Sequence, residues 1–332
     1  MRAELLSFIA LGAAMCVACG TAATQRRTDP GEQLRRETRY LPPWRGEEQR
    51  IDRGVELSAP GIDNLPDFHG NPKNAGLVLF SGGEYVFVLQ PLVEAFVKEY
   101  PELKGRVFYE TLPPGILLEQ IRRRDTISAG NLTLTVHPDV FHASINEVKS
   151  MMVDGTLRGP AVPFMTSRLA IMVPLVNPAN VMGLGDLGRP GVRLVMPDPA
   201  TEGSAQYIRE ALHLAGGDEL LSRVYDAKVA NGQTVLTVIN HRQAPLYVME
   251  CRVDATVAWR PQIDFHRNVG HPVASVEIPD AQNRTGVFAA AVMKDAPHPE
   301  AAEAWLKFLV SPRARRIFQP FGFRPYRDER GE

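Results

Sequence analysis

From Leu77 onward, short apolar segments alternate with amphipathic ones, and this alternation limits the possible folds more than any other feature. Residues 77–80 (LVLF) and 106–110 (RVFYE) are typical of buried strands, whereas residues 88–103 place apolar side chains at helical spacing. A repeated strand–helix order predicts an α/β fold in which helices cover both faces of a mostly parallel sheet.

The second half of the chain repeats the pattern. Residues 168–175 and 191–198 are predicted strands, and residues 202–217 form a predicted helix that stops at two glycines. Residues 298–323 are predicted to form two closing helices. Since one domain takes about 100 to 200 residues, a chain of 332 residues is expected to form two lobes.

The N-terminal residues predict export. Arg2 precedes an apolar run over residues 5–20, which is short for a spanning helix of about 20 residues but suits a secretory signal. Cys19 lies in a sequence that resembles the lipobox of bacterial lipoproteins, which predicts a signal peptide over 1–19, lipidation of Cys19 and a lipid anchor in the membrane. Simple cleavage near Ala18 or Ala23 and an uncleaved anchor are the alternatives. The predicted location is the periplasm or the outer face of the cell membrane.

Residues 20–75 differ in character from the rest of the chain. They mix both charge signs with Pro and Gly and show no sustained apolar period, which predicts a tether and an extended N-terminal segment. The formal net charge of the whole chain is -1, so no global field attracts nucleic acid, and we expect no nucleic-acid partner.

Three segments carry a resemblance to a known family. Residues 192–217, 252–259 and 300–323 are similar to the corresponding segments of periplasmic molybdate-binding proteins, within the type II solute-binding proteins of ABC transporters. The resemblance implies two α/β lobes joined by two crossing strands, with the ligand held in the cleft between them. Lobe one would comprise 76–166 plus 285–325, and lobe two 167–284.

The same resemblance implies a function. The chain would capture a small, molybdate-like oxyanion or another small polar solute and deliver it, as a monomer without a cofactor, to an ABC permease of the inner membrane. A lipid-anchored sensing or metal-binding module without transport is the alternative. An enzyme is not expected, because the sequence contains no G-x-S-x-G, H-E-x-x-H or P-loop motif.

Candidate ligand contacts follow from strand ends, helix starts and the family's pattern. Trp259 stands where the family commonly has Tyr, and its indole can donate a hydrogen bond but not accept one. Arg168, at the expected first crossing, would either clamp an anionic ligand or pair with a carboxylate of the cleft. The predicted ligand-binding residues are Ser81, Gly82, Gly83, Thr111, Ser144, Arg168, Thr201, Gly203, Ser204 and Trp259.

Two departures bear on the ligand. Pro113 and Pro114 lack the N–H groups that an oxyanion would use at a helix start. Glu84, Glu110 and Glu202 also lie within a few residues of the predicted cleft loops. A carboxylate about 4 Å from a unit negative charge costs roughly 4 kcal/mol at an effective dielectric near 20. If those carboxylates point inward and stay ionised, a bare dianion is disfavoured, and the ligand is a cation, a zwitterion, or an anion that arrives with a proton or a metal.

Histidines raise the question of a metal. Glu110 and His142 could together hold a transition metal, since carboxylate and imidazole are ordinary ligands for such ions. Hydrogen bonding is the alternative, because the sequence shows no H-x-x-H or E-x-x-H spacing around them. His266 and His271 are predicted to lie in a solvated loop.

Overall fold

The computed structural model describes residues 67–129, 132–237 and 239–327. The predicted signal peptide, Cys19 and the tether as far as residue 66 lie outside the described residues. The strands are β1 (Asp67–His69), β2 (Leu77–Ser81), β3 (Val107–Thr111), β4 (Thr126–Ala129), β5 (Leu132–Thr135), β6 (Val140–Ser144), β7 (Leu157–Pro174), β8 (Leu194–Pro197), β9 (Thr234–Thr237), β10 (Thr256–Trp259), β11 (Val273–Glu277), β12 (Thr285–Met293) and β13 (Arg324–Pro325).

Most of the longer connections between strands are helical, as the alternating pattern predicts. The helix Ser204–Ser222 bends at Gly216 and Gly217, where the sequence predicted that it would stop. A π-helical turn, Arg223–Ala227, follows it directly. The helices are α1 (Leu89–Glu99), α2 (Pro114–Arg122), α3 (Ile145–Val153), α4 (Ser204–Ser222), α5 (Asn240–Met249), α6 (Arg260–Asn268), α7 (Pro299–Leu309) and α8 (Pro312–Phe318).

One sheet runs through the molecule in the order β1-β3-β2-β6-β12-β7-β10, and β11 and β13 also pair with β7. We call the part built on β1, β3, β2 and β6 lobe one, and the part built on β8, β9, β10 and β11 lobe two. Strand β2 is parallel to β3 and β6, and β8 is parallel to β9. The parallel pairs thus form the centre of each lobe.

Two strands cross between the lobes and make the sheet mixed. Strand β7 pairs antiparallel with β12 over its first part and with β10 and β11 over its second. Thr285 lies opposite Arg168 and Met293 opposite Leu157, so β12 runs back alongside β7. The α/β fold class with two crossing strands is therefore confirmed, whereas the residue boundaries of the lobes stay a prediction.

Helices cover both faces of the lobe-one sheet, which explains why its central strands are continuously apolar. On one face, α1, α7 and α8 bring Phe96 and Trp305 together, with ring centroids 5.0 Å apart at 89°. On the other face, α2 and α3 pack Leu117 and Val148 against Phe80. The strands therefore bury side chains on both faces.

A chain of hydrogen bonds lies on the face of the lobe-one sheet that α1, α7 and α8 cover. Trp305 Nε1 donates to Nε2 of His142 over 2.7 Å, so Nε2 carries no proton. The protonated Nδ1 of His142 is 2.8 Å from Ser81 Oγ and 3.3 Å from the carbonyl oxygen of Phe80. Burial lowers the pKa of His142 to about 3, which keeps the ring neutral. His142 is thus a hydrogen-bonded core residue.

We expect Trp305→Phe to destabilise the fold by about 1 to 3 kcal/mol, because it leaves Nε2 of His142 buried without a donor. The midpoint of urea unfolding measures this change. The double variant His142→Leu/Trp305→Phe should cost less than the sum of the two single changes, since it removes both partners. A Trp305→Phe chain as stable as the parent would contradict the role of this hydrogen bond.

Candidate ligand-binding cleft

Three helices of eight or more residues begin around one cavity between the lobes. Gly115 near the start of α2, Ser144 at the start of α3 and Gly203 at the start of α4 all line this cavity of about 440 Å³. Helix starts carry free N–H groups and a partial positive charge. The fold thus directs hydrogen-bond donors from both lobes at one space.

The two lobes touch beside this cavity. The backbone N–H of Gly115 in lobe one donates to the carbonyl oxygen of Thr201 in lobe two over 3.0 Å. A Cβ atom at Gly203 would lie 2.4 Å from Oε1 of Glu147, and one at Gly83 would lie 1.8 Å from Nδ1 of His241. The carboxylate of Glu147 is the mobile end of its side chain and can move away from a Cβ at Gly203, whereas the ring of His241 leaves no room for one at Gly83. The cleft is closed in this structure.

Three carboxyl groups face one another across the closed cleft. Oε1 of Glu202 accepts the backbone N–H of Asn240 over 2.6 Å. Oε2 of Glu147 accepts both the backbone N–H and the hydroxyl of Ser144, over 3.1 and 2.8 Å. Glu84 follows β2 in the short turn Gly83–Tyr85.

Burial raises the pKa of all three carboxyl groups. It raises the pKa of Glu84 and of Glu202 to about 8, and it also raises the pKa of Glu147. Repulsion between the groups adds to the pKa increase, because Glu147 acts on both Glu84 and Glu202. Glu84 and Glu202 are therefore neutral acids near pH 7, which can donate hydrogen bonds.

A smaller cavity of about 10 Å³ continues the cleft inward, and Glu84, Glu202, Ser204 and Trp259 line it. The ring of Trp259 packs edge-on against Tyr207 and Phe288, with centroid distances of 5.2 and 5.1 Å. Trp259 thus forms a packed wall of the cleft.

The structure brings together about half of the predicted ligand-binding residues. Ser144, Thr201 and Gly203 line the larger cavity, and Ser204 and Trp259 line the smaller one. Gly83 lies at a contact between the lobes, as described above. These residues come from strand ends and helix starts, which is where the sequence placed the site.

The other predicted residues are used differently. The hydroxyl of Ser81 is engaged with His142, and the N–H of Gly82 donates to the carbonyl oxygen of His142 over 3.0 Å. Thr111 is fully buried at the end of β3. Arg168 pairs with the carboxylate of Asp280, which lies outside the cleft. None of these four lines either cavity of the cleft.

The prediction that Glu110 and His142 bind one metal ion together is wrong. Phe80 lies opposite Glu110, and the next residue of β2, Ser81, lies opposite His142. Since successive residues of a strand point to opposite faces, the two side chains lie on different sides of the sheet. Among residues 67–129, 132–237 and 239–327, no group of three or more His, Cys, Asp and Glu side chains could hold a metal ion.

Sequence reasoning missed Glu147, Asn240 and His241. The first had a local signal, since S-x-x-E at 144–147 is the pattern of a capping box, and the structure contains that box. The other two begin α5. This helix contains Pro245, which cannot donate to the carbonyl oxygen of His241, and Gln262 Nε2 donates there instead over 2.8 Å.

Fold and cleft together define a two-lobed solute-binding protein. The chain belongs to the bacterial extracellular solute-binding proteins, whose family model matches residues 77–324. It is 28% identical over 200 residues to the molybdate-binding protein ModA of Mycobacterium tuberculosis H37Rv, which covers 59% of this chain and 69% of the relative.

Solved structures share the fold. The sulfate-binding protein SubI of Mycobacterium tuberculosis H37Rv matches with a TM-score of 0.59 at 20% identity, over 76% of this chain and 88% of that one. The periplasmic molybdate-binding protein of Azotobacter vinelandii matches with a TM-score of 0.59 at 17% identity, over 74% and 98%. Both support the type II periplasmic binding fold. In the part of this chain that the structure describes, no helix is long and apolar enough to span a membrane.

Glu110 gives a prediction on pH and stability. Its carboxyl is fully buried next to the side chain of Gln120, which is itself buried. Burial raises the pKa of Glu110 from 4.5 to about 8, so the folded chain keeps a proton that the unfolded chain loses above pH 4.5. Stability should therefore fall as pH rises from 4.5 to 8, by up to about 1.4 kcal/mol per pH unit.

Glu110→Gln should remove this contribution, so the stability of the variant relative to the parent increases across that window. Urea unfolding at pH 5, 6, 7 and 8 measures the difference. Glu119→Gln, an exposed change on the neighbouring helix α2, should show no such trend. A gap between Glu110→Gln and the parent that stays constant with pH would show that Glu110 does not titrate this way.

We expect Gly83→Ala to keep the lobes apart, because its Cβ would overlap the ring of His241. Small-angle X-ray scattering should give a larger radius of gyration than the parent. Gly183→Ala serves as the control, since a Cβ there meets nothing within 4 Å. Unchanged scattering by the Gly83 variant would mean that this contact does not limit closure.

Proposed function

We propose that this chain is the substrate-binding component of an ABC importer in the cell envelope and that it takes a small oxyanion. Family membership and relatives named for molybdate and sulfate support this function. Under this proposal the chain works as a monomer, is anchored through lipidated Cys19 and hands its ligand to an inner-membrane permease. Its lobes meet near residues 166 and 284.

The main support for an oxyanion as the ligand is that helix starts from both lobes converge on one cavity. Helix starts offer N–H donors and partial positive charge, which suit a ligand that only accepts hydrogen bonds. Pro113 and Pro114 remove donors at α2, and Gly115 N–H is bonded to Thr201. The hydroxyl of Ser144 already donates to Glu147. The starts of α3 and α4 and the hydroxyls of Thr201 and Ser204 are therefore the proposed donors.

The carboxyl groups determine the conditions under which an anion is tolerated. While Glu84 and Glu202 are protonated, each adds a donor to the cleft. Once ionised, each would repel the ligand by roughly 4 kcal/mol at about 4 Å, with an effective dielectric near 20. A cationic ligand would need the opposite state, since ionised carboxylates attract it. The two ligand classes thus predict opposite pH dependences.

We expect the affinity for sulfate and for molybdate to fall as pH rises toward and past 8, because both anions keep their charge between pH 6 and 9 while Glu84 and Glu202 ionise. Isothermal titration calorimetry between pH 6 and 9 measures this. Glu202→Gln should flatten the profile and keep binding above pH 8. Glu219→Gln, exposed and far along α4, is the matched control and should follow the parent.

Two results would overturn the proposal. Absence of binding of either anion at pH 6, where Glu84 and Glu202 are protonated, would rule out an oxyanion as the ligand. Binding of a small organic amine that strengthens with pH would assign the cleft to cations instead.

A further inference from the structure

One face of α4 forms a wall of the larger cleft cavity, from the start of the helix to its second turn. Residues spaced by three and four along a helix lie on one face. Those that line the cavity here are Gly203, Gln206, Arg209 and Glu210. The first of them lies at the helix start where we place the oxyanion, and the other three lie beyond it. The cavity thus continues outward from the oxyanion site.

This cavity is much larger than an inorganic oxyanion. Sulfate or molybdate has five heavy atoms and displaces roughly three waters, on the order of 100 Å³ at about 30 Å³ per water. The cavity measures about 440 Å³. That volume lies within the range of roughly 300 to 1,000 Å³ of pockets that hold organic ligands. An oxyanion at the helix starts therefore leaves most of the cavity for further ligand atoms.

Arg209 is the basic side chain of the cavity wall. Its Cζ lies 5.3 Å from the ring centroid of Tyr225, a buried residue, and this contact orients the planar guanidinium. In the part of the chain that the structure describes, no carboxylate forms an ion pair with Arg209. Since a guanidinium stays charged, Arg209 offers its N–H donors to a carboxylate or a phosphate.

The acids of the cavity do not cancel this positive charge. Glu210, the neighbour of Arg209 in sequence, accepts a hydrogen bond from Nε of Arg284 over 3.0 Å. At the inner end, burial raises the pKa of Glu147 and of Glu202, which favours the protonated form of both. The cavity therefore has anion-binding groups at two places, the helix starts inside and the guanidinium further out.

We propose, building on the function proposed above, that the ligand is a small organic acid with two acidic groups. Its phosphate-type oxyanion group binds at the starts of α3 and α4, and its carboxylate pairs with Arg209. Gly203 and Arg209 are six residues apart, which is about 9 Å along a helix, and helical side chains lean toward the N-terminus. One ligand a few bonds long can therefore reach both groups.

Calorimetry at pH 6 with inorganic phosphate, ethyl phosphate and 2-phosphoglycolate tests the proposal. The last two are similar in size, but only phosphoglycolate carries a carboxylate. The parent should bind phosphoglycolate about tenfold or more tightly than ethyl phosphate, because the carboxylate adds charge-assisted hydrogen bonds. Arg209→Gln should abolish this preference and leave the affinity for ethyl phosphate within about twofold, which also shows that the variant is folded.

Arg223→Gln is the matched control, since Arg223 pairs with Glu219 and does not line the cavity. This variant should keep the preference for phosphoglycolate. Equal affinity of the parent for ethyl phosphate and phosphoglycolate would overturn the inference and leave the oxyanion site in place. A preference that persists in Arg209→Gln would also overturn it, because the carboxylate then binds elsewhere. If the parent binds none of the three phosphates and neither sulfate nor molybdate, the proposed function is wrong and this inference with it.

Discussion

Antiparallel pairing between β7 and β12 is the constraint on which the cleft depends. Both strands cross between the lobes, and their register, with Thr285 opposite Arg168, fixes how one lobe meets the other. The register also shifts between Phe288 and Ala289, an irregularity of the kind that bends a ladder. A slip of one residue would exchange the faces of every side chain, so the relative position of the lobes is tightly specified.

Close contact between the lobes accounts for the chemistry of the cleft. Gly83 and Gly115 let backbone and side chains approach to distances that a Cβ would block. This approach removes water from Glu84 and Glu202 and raises the pKa of both groups to about 8. The tight fit at the glycines and the protonation of Glu84 and Glu202 therefore both result from the close contact between the lobes. Opening the lobes would return water to the two carboxyl groups and lower both pKa values.

Predictions from the sequence were correct where they rested on neighbouring residues. They failed where side chains had to be assigned to one face or the other of the sheet. Strands and helices follow from periodicity and turn residues within short windows, although α4 bends and continues at the two glycines where a stop was predicted. The error over Glu110 and His142 arose because both lie near strand ends, yet the parallel register puts them on opposite faces. Arg168 was placed correctly at the crossing, but its carboxylate partner, Asp280, is distant in sequence.

The sequence by itself determined the α/β class, the order of the elements and the strand ends and helix starts that surround the cleft, because apolar periodicity and capping are properties of neighbouring residues. Only the tertiary structure decided that Ser81 serves the core, that Glu147 and His241 lie at the lobe contact and that the acids are neutral. Burial and proximity depend on residues far apart in the chain, and no local pattern records them.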